Sequence, residues 1–144
     1  MGAVSELVTQ LKIPYYIHER GLAYLNDDSL NFARQNGRQV RITQKPELLR
    51  AGNELVVGAT KLEVRYTPGH SFDSVTYYDP INKLAFVGDL LYNDGPGIWQ
   101  FPGGNRQVEL ASIKEQVGTL LPDVLCFLGH TRPITVATIR TWDF

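Results

Sequence analysis

Two histidines and one aspartate have residue types and positions that suit metal chemistry. His70, Asp89 and His130 each directly follow a glycine. Each of those glycines stands at the end of a run that we predict to be a β-strand. Imidazole and carboxylate groups together form a ligand set that suits zinc or iron. Because glycine lets the backbone turn sharply beside a bound group, the pattern predicts a metal site where three strand ends converge.

The same three residues also have a purely structural interpretation. His70 and His130 could be ordinary loop histidines, and Asp89 could form a turn or cap a helix. The spacing by itself leaves both interpretations open.

The strands that would carry these residues show two different patterns. Before His70, the residues Leu62, Val64 and Tyr66 alternate with charged residues, which is typical of a half-buried strand. The runs over 84–87 and 124–128 are continuously apolar, which predicts strands buried on both faces. A turn over 79–82 should join strands over 74–79 and 84–88. We expect this hairpin to bring Asp89 close to His70.

The remaining elements follow from periodicity and turn residues. Strands are predicted over 15–18 and, separated at Gly58, within 54–66. Residues 89–105 are predicted to form a long loop. Asn105 is a candidate cap for a structural helix over 106–121, to which we assign no chemistry. Further helices are predicted over 3–12, 21–25, 28–34 and 134–141.

Five short motifs together resemble the metallo-β-lactamase fold superfamily, and within it the glyoxalase II (hydroxyacylglutathione hydrolase) type of thioester hydrolase. They are Thr67-Pro68-Gly69-His70-Ser71, Phe86-Val87-Gly88-Asp89-Leu90-Leu91-Tyr92, Phe101-Pro102-Gly103-Gly104-Asn105, Leu121-Pro122-Asp123 and Gly129-His130. The resemblance implies an α/β fold, the αββα sandwich. This chain would hold mostly its C-terminal half, as one partial domain over 1–144 with a mixed β-sheet flanked by helices. It also implies that His70 serves a first zinc, His130 a second, and Asp89 bridges both.

The family's central H-x-H-x-D-H signature is absent, and the only other histidine is His18. The chain resembles the C-terminal two thirds of a family member, and either natural truncation or a fragment would account for this. We therefore expect weak or no binding of zinc, with iron and manganese as open alternatives. We also expect hydrolase activity to be weak or absent in this chain alone, and we assign no catalytic residue.

The loop after Asp89 is the predicted substrate loop, with Tyr92, Trp99 and Phe101 as its candidate contact residues. Where the resembled family often has Gly-Arg-(Thr or Ala)-Asp, this chain reads Gly97-Ile98-Trp99-Gln100. Trp99 and Phe101 could form an apolar wall of the site or could pack the loop down. The family resemblance implies a small thioester or ester as substrate if the chain is active.

Composition and charge limit the partners. The chain has 144 residues and a formal net charge of −1, which argues against a nucleic-acid or membrane surface as partner. Cys126, the single cysteine, is predicted to be a small buried apolar residue. With neither a signal peptide nor a long apolar segment in the sequence, we expect a cytoplasmic protein.

The missing half of the sandwich has a consequence for packing. The inner face of the remaining sheet should be exposed, and large exposed apolar surfaces are rare in soluble monomers. We expect a homodimer in which two such faces meet about a two-fold axis. The alternative to a metal-dependent hydrolase is thus a non-catalytic oligomerising or binding module that keeps the fold.

Overall fold

A computed structural model describes residues 3–143. The chain divides into two compact units, Met1–Leu49 and Arg50–Phe144. The first unit contains, in order, α1 (Val4–Leu11), β1 (Tyr16–His18), two 3₁₀ helices (Glu19–Leu25 and Arg34–Asn36) and β2 (Glu47–Leu49). Strands β1 and β2 pair in parallel, with Ile17 opposite Leu48.

The helix predicted over 28–34 is wrong, because this stretch forms turns and the second 3₁₀ helix begins only at Arg34. Short polar side chains bond to the backbone here instead. The carboxylate of Asp27 accepts from the Ser29 backbone N–H, and that of Asp28 accepts from the Val40 backbone N–H. Such local bonds offer the backbone an alternative to a helix.

The second unit carries the site and is built on one six-stranded sheet. Its elements are β3 (Glu54–Val57), β4 (Thr60–Tyr66), β5 (Val75–Asp79), β6 (Leu84–Gly88), β7 (Leu91–Tyr92), β8 (Gly95–Pro96), α2 (Arg106–Ser112), a π-helical turn (Ile113–Val117), β9 (Leu125–Leu128), β10 (Ile134–Thr135) and α3 (Val136–Ile139). The sheet order is β10-β9-β6-β5-β4-β3. Only the β6–β9 pair is parallel within this sheet, so the predicted mixed sheet is confirmed.

The helical elements cover one face of this sheet. Ala85 and Cys126, opposite one another on β6 and β9, are fully buried in a cluster with Ile113, Val117 and Ile139. On the other face, Phe86 is 41% exposed and stacks on Phe127 with ring centroids 5.3 Å apart. The prediction that these strands are buried on both faces is therefore wrong. Apolar residues at successive positions do not reveal that helices cover only one side.

Two predictions about the chain after Asp89 need correction. Residues 89–105 are not wholly without secondary structure, because β7 and β8 form a short antiparallel hairpin with Leu91 opposite Pro96. The α-helix predicted over 106–121 ends at Ser112, and a π-helical turn follows. The predicted cap is confirmed, since the Asn105 side chain accepts from the Val108 N–H at 3.1 Å. Among residues 3–143, no helix is long and apolar enough to span a membrane.

Candidate metal centre

The three predicted ligand residues meet at one carboxylate oxygen. Nε2 of His70 lies 3.8 Å from Oδ2 of Asp89, and Nε2 of His130 lies 3.3 Å from the same oxygen. The β5–β6 hairpin brings Asp89 to the end of β4, from which His70 follows, as the sequence predicts. The parallel pairing of β6 with β9 places His130 beside them. Tertiary structure thus brings together residues that are 19 to 60 positions apart.

His70 is held in a defined orientation. Its Nδ1 lies 2.6 Å from the carbonyl oxygen of Ile98. Because a carbonyl can only accept, Nδ1 carries the proton and donates it, which leaves the lone pair of a neutral ring on Nε2. The ring of Phe101 meets the imidazole edge-on, with centroids 5.6 Å apart. His70 therefore presents Nε2 toward Asp89 in the tautomer that metal ligation through Nε2 requires.

His130 lies at the outer side of the site. Its side chain is 68% exposed, whereas that of His70 is 20% exposed. The ring of Tyr92 is nearly parallel to the imidazole, at 21°, with centroids 6.4 Å apart. Desolvation raises the pKa of the Tyr92 phenol, and the charges of Asp89 and Glu109 raise it further. Tyr92 thus links the predicted substrate loop to His130.

Close glycine packing sets the position of Asp89. A Cβ on Gly129 would lie 1.8 Å from Oδ1 of Asp89, so a side chain at this position would displace the carboxylate. A Cβ on Gly97 would lie 1.9 Å from the Asp89 carbonyl oxygen. Gly69, with φ +142°, lies against the backbone of Glu109, where a Cβ would meet Cα at 2.2 Å. Glycine is therefore required beside each of these contacts.

Each histidine could bind a metal together with Asp89, but the three residues do not form a complete metal site. Both imidazoles approach the same oxygen of Asp89, Oδ2, so this carboxylate is shared between the two histidines. Among the described residues 3–143, however, no group of three or more His, Cys, Asp or Glu side chains could hold one metal ion. Either histidine with Asp89 supplies only two protein ligands, fewer than the three of a catalytic zinc site.

One residue of the site escaped the sequence analysis. Glu109, on α2, is completely buried. Its Oε2 lies 3.2 Å from Nη1 of Arg106, while its Oε1 is buried with no hydrogen-bond partner. Burial raises the pKa of this carboxyl to about 7, against a smaller opposing effect of Arg106. A signal was present, because Glu109 stands four residues before Ile113 on the apolar stripe of the predicted helix.

The predicted substrate-loop residues are not equivalent. Phe101 contacts His70, and Tyr92 contacts His130. The carbonyl oxygen of Trp99 packs against Gly104, where a Cβ would lie 1.9 Å away. The Trp99 side chain itself is exposed. Tyr92 and Phe101 therefore border the candidate ligands directly, whereas the contact given by Trp99 comes from its backbone.

Comparison with known proteins identifies a family match over most of the chain. The family described as the metallo-beta-lactamase superfamily matches residues 1–130. Over 140 residues the chain is 36% identical to the probable metallo-hydrolase YqgX of Bacillus subtilis (strain 168), covering 96% of this chain and 66% of that protein. It is also 28% identical over 85 residues to the hydroxyacylglutathione hydrolase GloC of Haemophilus influenzae (strain ATCC 51907 / DSM 11121 / KW20 / Rd), covering 59% of this chain and 40% of that protein.

A solved structure that contains bound iron confirms the fold. The crystal structure of TTHA1623 in a di-iron-bound form superposes with a TM-score of 0.83 at 30% identity. The match covers 96% of this chain and 68% of that one. The chain thus spans about two thirds of the length of YqgX and of TTHA1623.

Proposed function

Because this chain belongs to the metallo-β-lactamase superfamily, we propose that it is a metallo-hydrolase-like protein with a reduced metal site made by His70, Asp89 and His130. The observation that carries the proposal is the approach of both imidazoles to one oxygen of Asp89, at 3.8 and 3.3 Å. The convergence of two imidazoles on one carboxylate supports a shared metal role over that of two unrelated loop histidines. Two neutral imidazoles and a carboxylate suit zinc or iron.

The proposed metal is zinc, with iron and manganese as alternatives that the donor set also accepts. The di-iron form of TTHA1623 supports metal binding in this family but does not distinguish the metals for this chain. A bound metal would lower the pKa of a coordinated water and so supply hydroxide near neutral pH. With only two protein ligands per ion, we propose that the affinity is weak.

The chain's own residues would orient and shield this centre. The Ile98 carbonyl keeps the proton of His70 on Nδ1, so that Nε2 remains a donor. Phe101 and Tyr92 place aromatic rings beside the two imidazoles. The GloC match supports a thioester or related ester as the substrate class. We propose that turnover by this chain alone is weak, because its ligand set is incomplete.

Elemental mass spectrometry of the purified full chain tests this function. We expect substoichiometric zinc or iron that rises toward saturation when metal is added in excess. Both His70→Ala and His130→Ala should lower the bound amount, whereas a variant of the buried His18, which lies in the other unit, should not. Metal at background level in the wild type, even after addition, would overturn the proposal.

A second candidate function is favoured by the exposed face of the sheet. Phe86 and Val57 are exposed large apolar residues on that face, and Leu62 and Leu84 line a cavity of about 290 Å³ between them. We propose that a second copy of this chain covers the face in a two-fold homodimer, since each copy presents the same apolar surface. Such a dimerising module would need no catalytic activity.

Light scattering coupled to size-exclusion chromatography tests the homodimer. The wild type should elute with the mass of two chains at micromolar concentration, and Phe86→Asp should elute as one chain. Ile81→Asp is a matched control, because Ile81 is exposed but lies in the β5–β6 turn, outside that face. A wild type with the mass of one chain across this range would exclude the dimer.

A further inference from the structure

The loop after β8 carries a group of exposed apolar side chains beside His70. Ile98 is 43% exposed, and Trp99 and Phe101 are each 37% exposed. Single apolar residues on a protein surface are ordinary, but these three lie within four consecutive positions. We call Ile98, Trp99 and Phe101 the apolar rim.

Contacts at both ends hold the apolar rim against His70. The carbonyl oxygen of Ile98 lies 2.6 Å from Nδ1 of His70, and the ring of Phe101 meets the imidazole edge-on. Trp99 lies between them in the chain. A Cβ on Gly104 would lie 1.9 Å from the Trp99 carbonyl oxygen and 3.0 Å from the His70 carbonyl oxygen, so these two backbones are close neighbours. The apolar rim therefore borders any group that binds at the candidate metal centre.

The sequence around the apolar rim carries no charge. Residues 95–105 contain no Asp, Glu, Lys or Arg. The next cation along the chain, Arg106, donates to the buried carboxylate of Glu109 at 3.2 Å. The carboxylate that His70 approaches, on Asp89, would repel an anionic group. A charged substituent against the rim would lose water without gaining a charged partner in this stretch, whereas an apolar substituent gains free energy by burial.

We infer that the apolar rim binds the acyl group of the substrate, and that it selects esters and thioesters with an apolar acyl chain of several carbons. The inference rests on the proposed function for turnover, but binding of an acyl chain to the rim requires no metal. Ligand sites typically combine an apolar lining with a few polar groups that fix orientation. Here His70 and Asp89 form the polar end of the site, and the rim forms its apolar end.

Proton–nitrogen NMR of the metal-free full chain tests this surface without relying on catalysis. The ligand is N-methyloctanamide, a slowly hydrolysed stand-in for an octanoyl ester, and N-methylacetamide is its short-chain match. The octanamide should shift the backbone amides over 98–101 and the indole N–H of Trp99. Its dissociation constant should be about 10-fold lower than that of the acetamide, because the exposed rim covers only part of the added methylenes. Equal dissociation constants for the two amides would overturn the inference.

Two matched substitutions locate the binding surface. Trp99→Ser should weaken octanamide binding about fivefold through lost apolar contact. Ile81→Ser removes a more exposed apolar residue, in the β5–β6 turn, and should bind like the wild type. Unchanged binding in folded Trp99→Ser, or octanamide shifts centred on Phe86 of the exposed sheet face, would overturn the inference. The wild-type comparison of the two amides needs no variant, so it decides the matter even where a variant does not fold.

Turnover by the zinc-loaded full chain extends the test to selectivity. The kcat/KM for p-nitrophenyl octanoate should exceed that for p-nitrophenyl acetate about 10-fold, and Trp99→Ser should remove most of this preference. A wild type that binds no zinc and hydrolyses neither ester would refute the proposed function, while the amide titration would still decide the role of the rim. Conversely, equal kcat/KM for both esters, with no shifts over 98–101, would leave the metal function intact and overturn the assignment of the rim.

Discussion

The two histidines of the candidate site both follow a glycine but have very different surroundings. His130 follows closely after β9, whereas His70 lies in the turn after β4, and each approaches Oδ2 of Asp89. His70 is mostly buried, its Nδ1 is hydrogen-bonded to Ile98 and its ring is edged by Phe101. His130 is largely exposed, and Tyr92 is its described ring contact. His70 is thus preorganised, whereas His130 is exposed to solvent.

This difference shows what a ligand position needs beyond the right residue type. A preorganised imidazole loses little conformational freedom when it binds a metal, whereas a free one must be ordered at that moment. The turn before His70 is also closely packed, because Gly69 lies against the backbone of Glu109. We therefore expect the two halves to respond differently to substitution and to pH.

The largest effect should be a pH dependence of stability on the buried side of the site. Burial raises the pKa of Glu109 from 4.5 to about 7. Between these values the folded chain keeps a proton that the unfolded chain has lost, so the free energy of unfolding should fall as pH rises. The loss should reach about 3 kcal/mol by pH 8. Urea unfolding at pH 4.5 and pH 8 measures it.

Two variants isolate this contribution. Glu109→Gln should flatten the pH dependence, because the amide cannot ionise, whereas the exposed Glu115→Gln should retain the wild-type slope. Equal slopes for Glu109→Gln and wild type would show that Glu109 is not the group responsible.

Removing the shared carboxylate should disable both halves together. Asp89→Ala takes away the only oxygen that both imidazoles approach, so zinc affinity should fall about 100-fold, at the upper end of losses seen around metal sites. Isothermal titration calorimetry measures this affinity. Asp94→Ala changes an exposed residue of the same loop and should bind like the wild type. Loss of affinity in both variants would point to general loop damage.

Separate removal of each imidazole tests the difference between the halves. His70→Ala should weaken zinc binding about 10-fold and His130→Ala about threefold, because the oriented ligand contributes more than the exposed one. The same titration compares them directly. A larger loss in His130→Ala would reverse the ranking and show that preorganisation of His70 does not govern affinity.

The smallest effects should come from the two aromatic neighbours. Phe101→Leu should weaken zinc binding about threefold, and Tyr92→Leu less than about twofold, since an edge or stacking contact contributes roughly 0.5–1.5 kcal/mol when shielded from water. The His70 contact is the more shielded of the two. Equal losses would indicate that solvent exposure does not weaken the Tyr92 contact with His130.

Several features followed from sequence patterns because their causes are local. Alternation over Leu62, Val64 and Tyr66 predicts β4, and the turn after Asp79 predicts the hairpin that carries Asp89. A short polar residue ahead of an apolar helical stripe predicts the Asn105 cap. The family motifs predicted the mixed sheet and the superfamily, which the family match confirms. The metal roles of His70, Asp89 and His130 remain predictions.

The sequence by itself therefore determined which side chains stand at the strand ends, since strand period and turn chemistry act over a few residues. Tertiary structure decided everything that depends on distant contacts. Phe86 is exposed on a strand whose sequence predicts burial on both faces, and Glu109 is buried on a helix to which the sequence assigns no chemistry. It also makes His70 and His130 unequal. No local pattern records which side of a strand a helix covers, or which carbonyl an imidazole will meet 28 residues away.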